Sequence, residues 1–401
     1  MGSAGRRILI IVQNLTVPFD RRVWMESRTL KAAGYDVTVV CPTGGPHTAR
    51  YEELEGIRIY RYPAPAPTNS KLSYLWEFLY CWVRTANLVM KARRRHGIDL
   101  VHACNPPDTY FALAALLKLR GVRFVFDQHD LCPEVYRARF GEGRFWHRLL
   151  LWLEKLTYRT ADVVISTNES YREKAIVRGK VAAERVFVVR SAPDPRRFQP
   201  VPPDDALRNG RRHRVAYLGV MAPQDGVDYL LRAAAHIVHG LRRDDVGFTF
   251  IGSGDCFDEL VAQSRALGIE DCVLFTGRIP DEDVARHLCS ADVCVSPDPL
   301  NDLNNLSTMN KILEYMALAK PIVAFDLKET KVSAGDGALY AQPNDVEDLA
   351  RNIVRLLDDP ALRADMGRRN LARFRERLAW DFSAAELVRA YETALALSWT
   401  R

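Results

Sequence analysis

Long apolar segments are scarce in this chain of 401 residues. The longest purely apolar stretches, such as residues 8–12, have the length of a strand, whereas a membrane-spanning helix needs about 18 uncharged apolar residues in a row. The N-terminal Met-Gly-Ser-Ala-Gly-Arg-Arg runs directly into a strand-like segment, without the apolar region and cleavage site of a secretory signal. We therefore expect a cytoplasmic protein, and peripheral contact with the inner face of the membrane stays open.

Cysteine pairs are absent from the sequence, and lysine is scarce. None of the eight cysteines forms a Cys-x-x-Cys pair, so we expect buried free thiols in a reduced compartment rather than disulfides or a zinc site. Lysine contributes 11 of the 56 basic residues, and the net charge is a mild +6. Because no nucleic-acid-binding motif accompanies this charge, nucleic acid is not an expected partner.

The common dinucleotide fingerprint is missing. Residues 13–20, after the first predicted strand, contain no Gly-x-Gly-x-x-Gly, and the related Gly252-Ser-Gly254 has Phe257 at its third position. No Walker loop is present. A nicotinamide dinucleotide is therefore not the expected ligand. Gly252 and Gly254 could still bring backbone N–H groups close to a phosphate or ribose, although a simple tight turn is an equal alternative.

The sequence does contain a regular alternation of short β-branched runs with amphipathic helical stretches. Most of the runs are almost wholly apolar, as expected when helices cover both faces of a parallel sheet, so we predict doubly wound α/β domains. The predicted strands are residues 7–12, 36–41, 57–62, 99–103, 122–127, 162–166, 185–190, 214–218, 246–251, 272–276, 292–296 and 321–325. The predicted helices include residues 20–33, 70–95, 109–120, 143–160, 226–240, 281–290 and, interrupted near 358–360, 345–400.

A proline-rich stretch divides this alternation into two halves. Residues 192–203 hold five prolines and cannot form a regular element. We predict an N-terminal Rossmann-like domain over residues 1–192, a linker over 193–205 and a C-terminal Rossmann-like domain over 206–380. We predict a C-terminal helix over residues 381–401, which could return to the N-terminal domain. A cleft between such domains would be a natural ligand site.

The densest group of polar residues lies in residues 299–324, which we interpret as a loop, a helix and a buried strand. Ser307 or Thr308 would cap the helix, and the free N–H groups at its start favour an anion or a sugar hydroxyl. Asn310 and Glu314 are four apart and share a helix face, while Lys311 adds a cation. The alternative is an asparagine-rich surface loop with a local Lys311–Glu314 pair.

A second polar group, residues 126–136, follows a strand of the first half. His129 and Asp130 could hydrogen-bond to a bound sugar. Asp127 could alternatively orient the tautomer of His129. A purely structural histidine is the remaining interpretation.

Several stretches together resemble the family-4 retaining glycosyltransferases, whose fold of two Rossmann-type domains facing a central cleft is called GT-B. The resemblance covers nearly the whole chain and lies in the His-Asp loop, in Asn-Lys-Ile-Leu-Glu-Tyr-Met-Ala-Leu-Ala-Lys-Pro-Ile-Val-Ala at 310–324, and in residues 18–39, 275–285 and 290–297. It implies transfer of a sugar from a nucleotide diphosphate sugar, a co-substrate rather than a cofactor, with retained anomeric configuration and no obligatory metal.

The resemblance also implies that the domain over residues 1–192 binds the acceptor and that the domain over 206–380 binds the nucleotide sugar. It further implies roles for individual residues. Glu314 matches the second Glu of the family's Glu-x7-Glu motif and would hold the ribose hydroxyls, and His129 would touch the donor sugar. With Lys311 these are the predicted catalytic residues. The predicted donor-binding residues are Gly252, Gly254, Arg278, Asn305, Ser307, Thr308, Met309 and Asn310. Asp20, Arg21 and Asp130 are predicted on the acceptor side.

Two departures from the family pattern bear on the donor. Leu306 stands where the first Glu of the motif is expected, so contacts to the sugar hydroxyls would come from Asn304, Asn305, Ser307 or the backbone. Residues 219–226 contain neither the Arg nor the Lys that clamps the diphosphate in many members. Lys311 with the helix N-terminus is the expected replacement.

We conclude from the sequence that the chain is a retaining hexosyltransferase using a UDP- or GDP-sugar. The expected acceptor is a hydroxyl in polysaccharide, lipid-linked glycan or secondary-metabolite biosynthesis. The rival hypotheses are a nucleotide-sugar epimerase or phosphorylase of the same fold, and a catalytically weak scaffold that binds sugar nucleotides. Aromatic, partly basic stretches at 72–95 and 143–154 could be core-packing helices or contacts with a membrane surface.

Overall fold

The computed structural model describes residues 5–64, 71–141, 143–194 and 198–397, without the side chains of 71–75. Residues 195–197 of the predicted linker, 70 of the predicted helix 70–95 and 398–401 of the last helix lie outside the described residues. The chain divides into two compact units, Met1–Arg190 with Ser383–Arg401, and Ser191–Phe382. They are called the first and the second unit below.

The first unit is built on a sheet whose described strands follow the order β3-β4-β2-β1-β5-β6-β7-β8. All neighbouring pairs are parallel except β3 with β4. The strands are β1 (Arg7–Ile11), β2 (Asp36–Pro42), β3 (Tyr51–Leu54), β4 (Ile57–Tyr62), β5 (Leu100–Cys104), β6 (Arg123–Gln128), β7 (Val163–Ser166) and β8 (Val186–Val188). The helices are α1 (Arg21–Ala32), α2 (Lys71–His96), α3 (Phe111–Lys118), α4 (Cys132–Phe140), α5 (Arg144–Thr160) and α6 (Glu169–Val177).

The second unit has a smaller sheet, in which the described strands follow the order β11-β10-β9-β12-β13-β14 and are all parallel. The strands are β9 (His213–Leu218), β10 (Val246–Ile251), β11 (Val273–Gly277), β12 (Val293–Ser296), β13 (Ile322–Phe325) and β14 (Ala338–Ala341). The helices are α7 (Val227–Ala235), α8 (Phe257–Ala266), α9 (Asp281–Ser290), α10 (Asn310–Ala317), α11 (Lys328–Ala334), α12 (Val346–Asp358) and α13 (Pro360–Arg373); α14 (Trp380–Ala396) follows.

The predicted doubly wound parallel sheets are confirmed, and two strands were missed. In β3, Tyr51-Glu-Glu-Leu54, no residue is fully buried, so the segment lacks the apolar run that marks the other strands. β14 has four residues and directly follows a glycine-containing turn. Both missed strands lie at the edge of a sheet, where packing demands least from the sequence.

The strand order places a topological switch point in each unit. The chain runs outward from β1 through β2 to the β3–β4 pair and then crosses back to β5 beside β1. In the second unit it runs outward from β9 to β11 and crosses back to β12 beside β9. Ligands of doubly wound sheets bind outside the carboxyl ends of the strands at such points. The polar residues of interest follow these strands.

The cysteines behave as predicted. All eight are free, and seven are buried. Among the described residues, no helix has both the length and the apolar character needed to cross a membrane.

Candidate active site

At the carboxyl edge of the first unit's sheet, His129 lies against a buried carboxylate. Nε2 of His129 is 2.5 Å from Oδ2 of Asp127, a fully buried residue of β6. Arg22, in the first turn of α1, donates to Asp127 from Nη2 at 2.8 Å and from Nε at 3.2 Å. Its Nη1 donates to the carbonyl of Val189 at 2.7 Å. Asp127 is therefore held from one side and orients the imidazole on the other, which is one of the three interpretations drawn from the sequence.

The charges of this cluster are set by burial and by mutual compensation. Burial raises the pKa of Glu26 to about 8, and the charge of Asp127 adds to this rise. Arg22, whose Nε lies 3.1 Å from the Glu26 carboxylate, lowers the pKa but does not outweigh these two effects. Burial would also raise the pKa of Asp127, but the charges of Arg22 and His129 hold it well below its usual range. Burial would lower the pKa of His129, but the Asp127 carboxylate raises it. Asp127 is thus ionised, and its field favours the protonated imidazole.

A second, fully buried pair lies behind Asp127. The hydroxyl of Tyr391, whose pKa burial raises well above its usual value, donates to Nδ1 of His102 at 2.6 Å. Nε2 of His102 lies 3.4 Å from Oδ2 of Asp127, and burial lowers the pKa of His102. We assign a neutral imidazole with its proton on Nε2, since this tautomer satisfies both contacts. Helix α14 is thereby linked through hydrogen-bonding groups to the residue that orients His129.

Asn105, directly after β5, fixes the backbone of the loop that carries His129. Its Oδ1 accepts from the backbone N–H of His129 at 2.7 Å and of Asp130 at 3.1 Å. Its Nδ2 donates to the carbonyl of Asp130 at 2.8 Å and to Oδ1 of Asp108 at 2.9 Å. Since Asn105 is buried, these bonds are shielded from water, and the loop is held independently of the imidazole.

Glu26, Asp127 and His129 are spaced as metal ligands could be, with ligand atoms within 4.8 Å of one another. Nε of Arg22, however, lies 3.1 Å from Glu26, 3.2 Å from Asp127 and 3.0 Å from His129. A guanidinium at that place already supplies positive charge to the carboxylates and would repel a cation. The arrangement therefore fits an orienting cluster for His129 better than a metal centre.

The residues expected on the acceptor side have unequal surroundings. Asp20 caps α1, because its Oδ1 accepts from the backbone N–H of Val23 at 3.1 Å. Arg21 is exposed. Asp130 is partly buried, which raises its pKa. The arginine joined to His129 is Arg22, one position later, which the sequence analysis did not single out.

In the second unit, Gly252 and Gly254 follow β10 and pack directly against the loop after β9. The N–H of Gly219 donates to the carbonyl of Ile251 at 3.0 Å, and that of Met221 to the carbonyl of Ser253 at 3.1 Å. A Cβ on Gly252, which has φ of 126°, or on Gly254 would collide with backbone carbonyls of the β9 loop. The close approach of the two loops is therefore sufficient reason for a glycine at each of these two positions. Contact of these glycines with a nucleotide stays a prediction.

Lys311, in the first turn of α10, is buried beside a carboxylate. Its Nζ lies 2.7 Å from Oδ1 of Asp298, just after β12, and the two side chains are 7% and 2% exposed. The hydroxyl of Ser296 donates to the other carboxylate oxygen, and Nζ lies 5.1 Å from the ring centroid of Tyr217. A diphosphate at this place would share the ammonium with Asp298. The predicted role of Lys311 as a replacement clamp is not tested by this geometry alone.

The start of α10 differs from the expectation. The N-cap is Met309, without a side-chain cap, while the hydroxyl of Ser307 donates to the carbonyl of Leu303 at 2.8 Å. A cap by Ser307 or Thr308 was therefore wrong. The reason is that a short 3-10 turn, Asn304–Leu306, precedes the helix and takes up the Ser307 hydroxyl.

Helix α10 is anchored by Tyr315 at the switch point of the second unit. The buried hydroxyl of Tyr315 accepts from the N–H of Leu218 at 2.8 Å and donates to the carbonyl of Val295 at 3.1 Å. The helix therefore lies at the carboxyl ends of β9 and β12. On its first turns Asn310 is exposed and Glu314 is partly exposed.

The asparagine-rich loop before α10 is largely hydrogen-bonded within the unit. Buried Asn304 donates from Nδ2 to the carbonyls of Gln224 and Pro299, each at 2.9 Å. Oδ1 of Asn305 accepts from the N–H of Lys328 at 2.9 Å. These contacts shape the loop and leave the predicted donor contact of Asn305 untested. Arg278 is exposed directly after β11.

Sequence comparison identifies related families over most of the chain. Residues 20–192 match the glycosyl transferase 4-like domain, and residues 212–359 match the glycosyl transferases group 1. The chain is 26% identical over 351 residues to the 2-deoxystreptamine glucosyltransferase of Streptomyces kanamyceticus, covering 84% of this chain and 88% of that protein. It is 27% identical over 404 residues to the MMP alpha-(1->4)-mannosyltransferase of Mycolicibacterium hassiacum, covering 92% and 93%.

Solved structures share the fold. Sucrose-phosphate synthase from Thermosynechococcus elongatus has a TM-score of 0.78 at 20% identity, covering 98% of this chain and 100% of that one. The Anabaena protein HepE, in complex with UDP and glucose, has a TM-score of 0.71 at 19% identity, covering 96% and 99%. On the two family matches, the relatives and this fold, the chain belongs to the family-4 retaining glycosyltransferases of the GT-B fold.

Proposed function

We propose that the protein transfers a hexose from a UDP- or GDP-sugar to an acceptor hydroxyl, with the second unit binding the nucleotide. The observation that carries this proposal is the convergence at one switch point of the paired β9 and β10 loops and of α10, the helix that carries Lys311 and Glu314. The printed names of two relatives, a glucosyltransferase and a mannosyltransferase, and the UDP and glucose bound to HepE support the donor class. The acceptor is a hydroxyl of a saccharide, a lipid-linked glycan or a secondary metabolite.

In this proposal each side chain has one task. Glu314 accepts hydrogen bonds from the two ribose hydroxyls, and the backbone amides at 308–311 face the sugar and phosphate. Lys311, shared with Asp298, adds positive charge where the diphosphate leaves. His129, held protonated by Asp127, donates a hydrogen bond to the donor sugar. Arg278 borders the base.

The proposed chemistry uses no metal, because Lys311 supplies the positive charge at the leaving diphosphate. Cytoplasmic residence likewise stays a prediction. The comparisons give no support to the epimerase alternative. The scaffold alternative keeps one argument, since Asp298 compensates the cation expected to stabilise the leaving group.

The first test concerns the ribose assignment. Replacing Glu314 by Gln is expected to weaken UDP or GDP binding about 10–100-fold, because a hydrogen bond to a charged group contributes about 1.5–3 kcal/mol. Titration calorimetry of the purified protein with UDP, GDP, ADP and TDP measures this directly. In wild type, the preferred nucleotide at 100 times its dissociation constant should add about 2.7 kcal/mol of stability.

Glu347→Gln serves as the control, since Glu347 is an exposed residue at the start of α12. Its nucleotide affinity should equal that of wild type. Unchanged affinity in a folded Glu314→Gln protein would contradict the ribose role. Tight binding without turnover across a panel of donors and acceptors would favour the scaffold.

A further inference from the structure

Helix α5 carries an exposed stripe composed of aromatic and basic residues. Positions 145, 148, 152, 155 and 159 follow the spacing of one helix face and are all exposed. They are Phe145, Arg148, Trp152, Lys155 and Arg159. Phe145 is 71% and Trp152 55% exposed, and Trp146 adds a third exposed ring beside them. A soluble surface normally mixes charges of both signs and rarely presents several large aromatic rings together.

The stripe is not neutralised from within its own helix. The one acidic residue of α5 is Glu154, which is buried and accepts from Nη2 of Arg178 at 2.6 Å. It faces the interior, on the side opposite to the stripe. The exposed face of α5 is therefore both cationic and apolar.

The basic end of the stripe opens into a cavity of about 450 Å³. Its wall contains five cationic side chains and no carboxylate: Lys155, Arg159, Arg178, Lys180 and Arg185, with Tyr158, Ala161, Gly179 and Val181. Arg178 is paired with Glu134 and Glu154. Within the part of the chain that the structure describes, the other four cations have no hydrogen-bond or ion-pair partner.

A cavity of similar volume in the second unit has carboxylates in its wall beside its cations. It measures about 470 Å³ and is also lined by arginines. There, Arg208 pairs with Asp292 and Arg243 with Asp358 and Asp245. Arg208 and Arg243 of this cavity are thus compensated by carboxylates in its own wall, Asp292 and Asp358, whereas the described wall of the cavity at the end of α5 contains no carboxylate.

We propose that the stripe of α5 and its basic cavity form a docking surface for an anionic phospholipid membrane. Phe145, Trp146 and Trp152 would enter the interface between headgroups and acyl chains, where aromatic rings are favoured. Lys155, Arg159, Lys180 and Arg185 would hold headgroup phosphates, and the cavity has room for one headgroup. Free phosphate would satisfy the cations but leaves the exposed rings without a partner, so the lipid is the occupant that uses both features. This proposal is independent of the donor and acceptor assignments.

The test is sedimentation of the full-length protein with vesicles. Binding is expected to vesicles of phosphatidylglycerol and phosphatidylcholine, to be weak on phosphatidylcholine alone, and to fall with rising salt. The triple variant Lys155→Gln/Arg159→Gln/Lys180→Gln should bind at least about thirtyfold more weakly, given the contribution of each cation near an anionic surface. Trp152→Ser should reduce both binding and the blue shift of tryptophan fluorescence.

Matched controls remove the same charge or a ring elsewhere. Arg232→Gln/Arg351→Gln/Arg368→Gln changes three exposed arginines of the second unit, and Phe382→Ser removes another exposed ring. Both should bind vesicles like wild type. Near-UV circular dichroism establishes that each variant is folded.

Three results would overturn the proposal. The first is vesicle binding that the α5 variants and the controls change equally. The second is no binding to phosphatidylglycerol at low salt. The third is a thermal shift of wild type with inorganic phosphate or single-stranded RNA that is lost in the α5 triple variant, although that variant still binds vesicles like wild type. This result would assign the cavity to a soluble anion.

Discussion

Replacing Lys311 by Met is expected to lower the free energy of unfolding by about 3–5 kcal/mol, because it leaves Asp298 as a buried carboxylate without its cation. The two groups are 2.7 Å apart and nearly inaccessible to water. Urea unfolding followed by circular dichroism measures the loss. Lys331→Met is the matched control, since Lys331 forms an exposed pair of the same length with Asp326 and should contribute at most about 1 kcal/mol.

A double variant separates the structural role of Lys311 from its catalytic role. In Lys311→Met/Asp298→Asn both charges are gone, and the amide oxygen at 298 can still accept from Ser296. Most of the stability should return. If the ammonium also stabilises the leaving diphosphate, kcat should stay about 10²-fold below wild type. A stable double variant with wild-type turnover would mean that Lys311 serves the fold alone.

Replacing Asp127 by Asn is expected to lower kcat/KM at neutral pH about 10²-fold, the effect of misplacing one catalytic group. The carboxylate orients His129 at 2.5 Å and raises the pKa of that imidazole against the effect of burial. Without it, burial should lower the pKa of His129, so that the imidazole loses its proton at a lower pH. Activity that needs the protonated form should therefore recover on acidification.

The pH profile of kcat/KM and the NMR titration of His129 test this together. The variant retains the Arg22–Glu26 pair at 3.1 Å, so it should remain folded. Arg22→Ala is less suitable, because it would leave two buried carboxylates without their cation and should lower the free energy of unfolding. An Asp127→Asn enzyme whose profile and His129 titration match wild type would contradict the orienting role.

The fold could be predicted from sequence largely because most strands are buried on both faces. The prediction of residues 57–62 and 246–251 agrees with the bounds of β4 and β10. The edge strand β3 was not predicted, because its sequence Tyr51-Glu-Glu-Leu54 is half polar and only alternate residues are partly buried.

The candidate site was predicted less completely, because its contacts join segments far apart in the chain. Asp127 and His129 stand in one loop and were found together. Arg22 and Glu26 are four apart and look like an ordinary surface pair until the ends of β1, β5 and β6 bring them against Asp127. A signal was present in His102, a polar residue in the middle of an otherwise apolar strand. Its partner Tyr391, 289 positions later, could not be inferred.

The proposed transfer of a hexose from a uridine or guanosine diphosphate sugar, with retention of the anomeric configuration, can be measured on the purified protein. The most direct measurement incubates the protein with UDP-glucose or GDP-mannose and an acceptor panel, quantifies the released nucleoside diphosphate and determines the anomeric configuration of the glycoside by proton NMR. We expect an α-linked product from an α-configured donor, formed only in the presence of an acceptor and strongly reduced in Glu314→Gln. A β-linked product, or turnover that Glu314→Gln leaves unchanged, would contradict it.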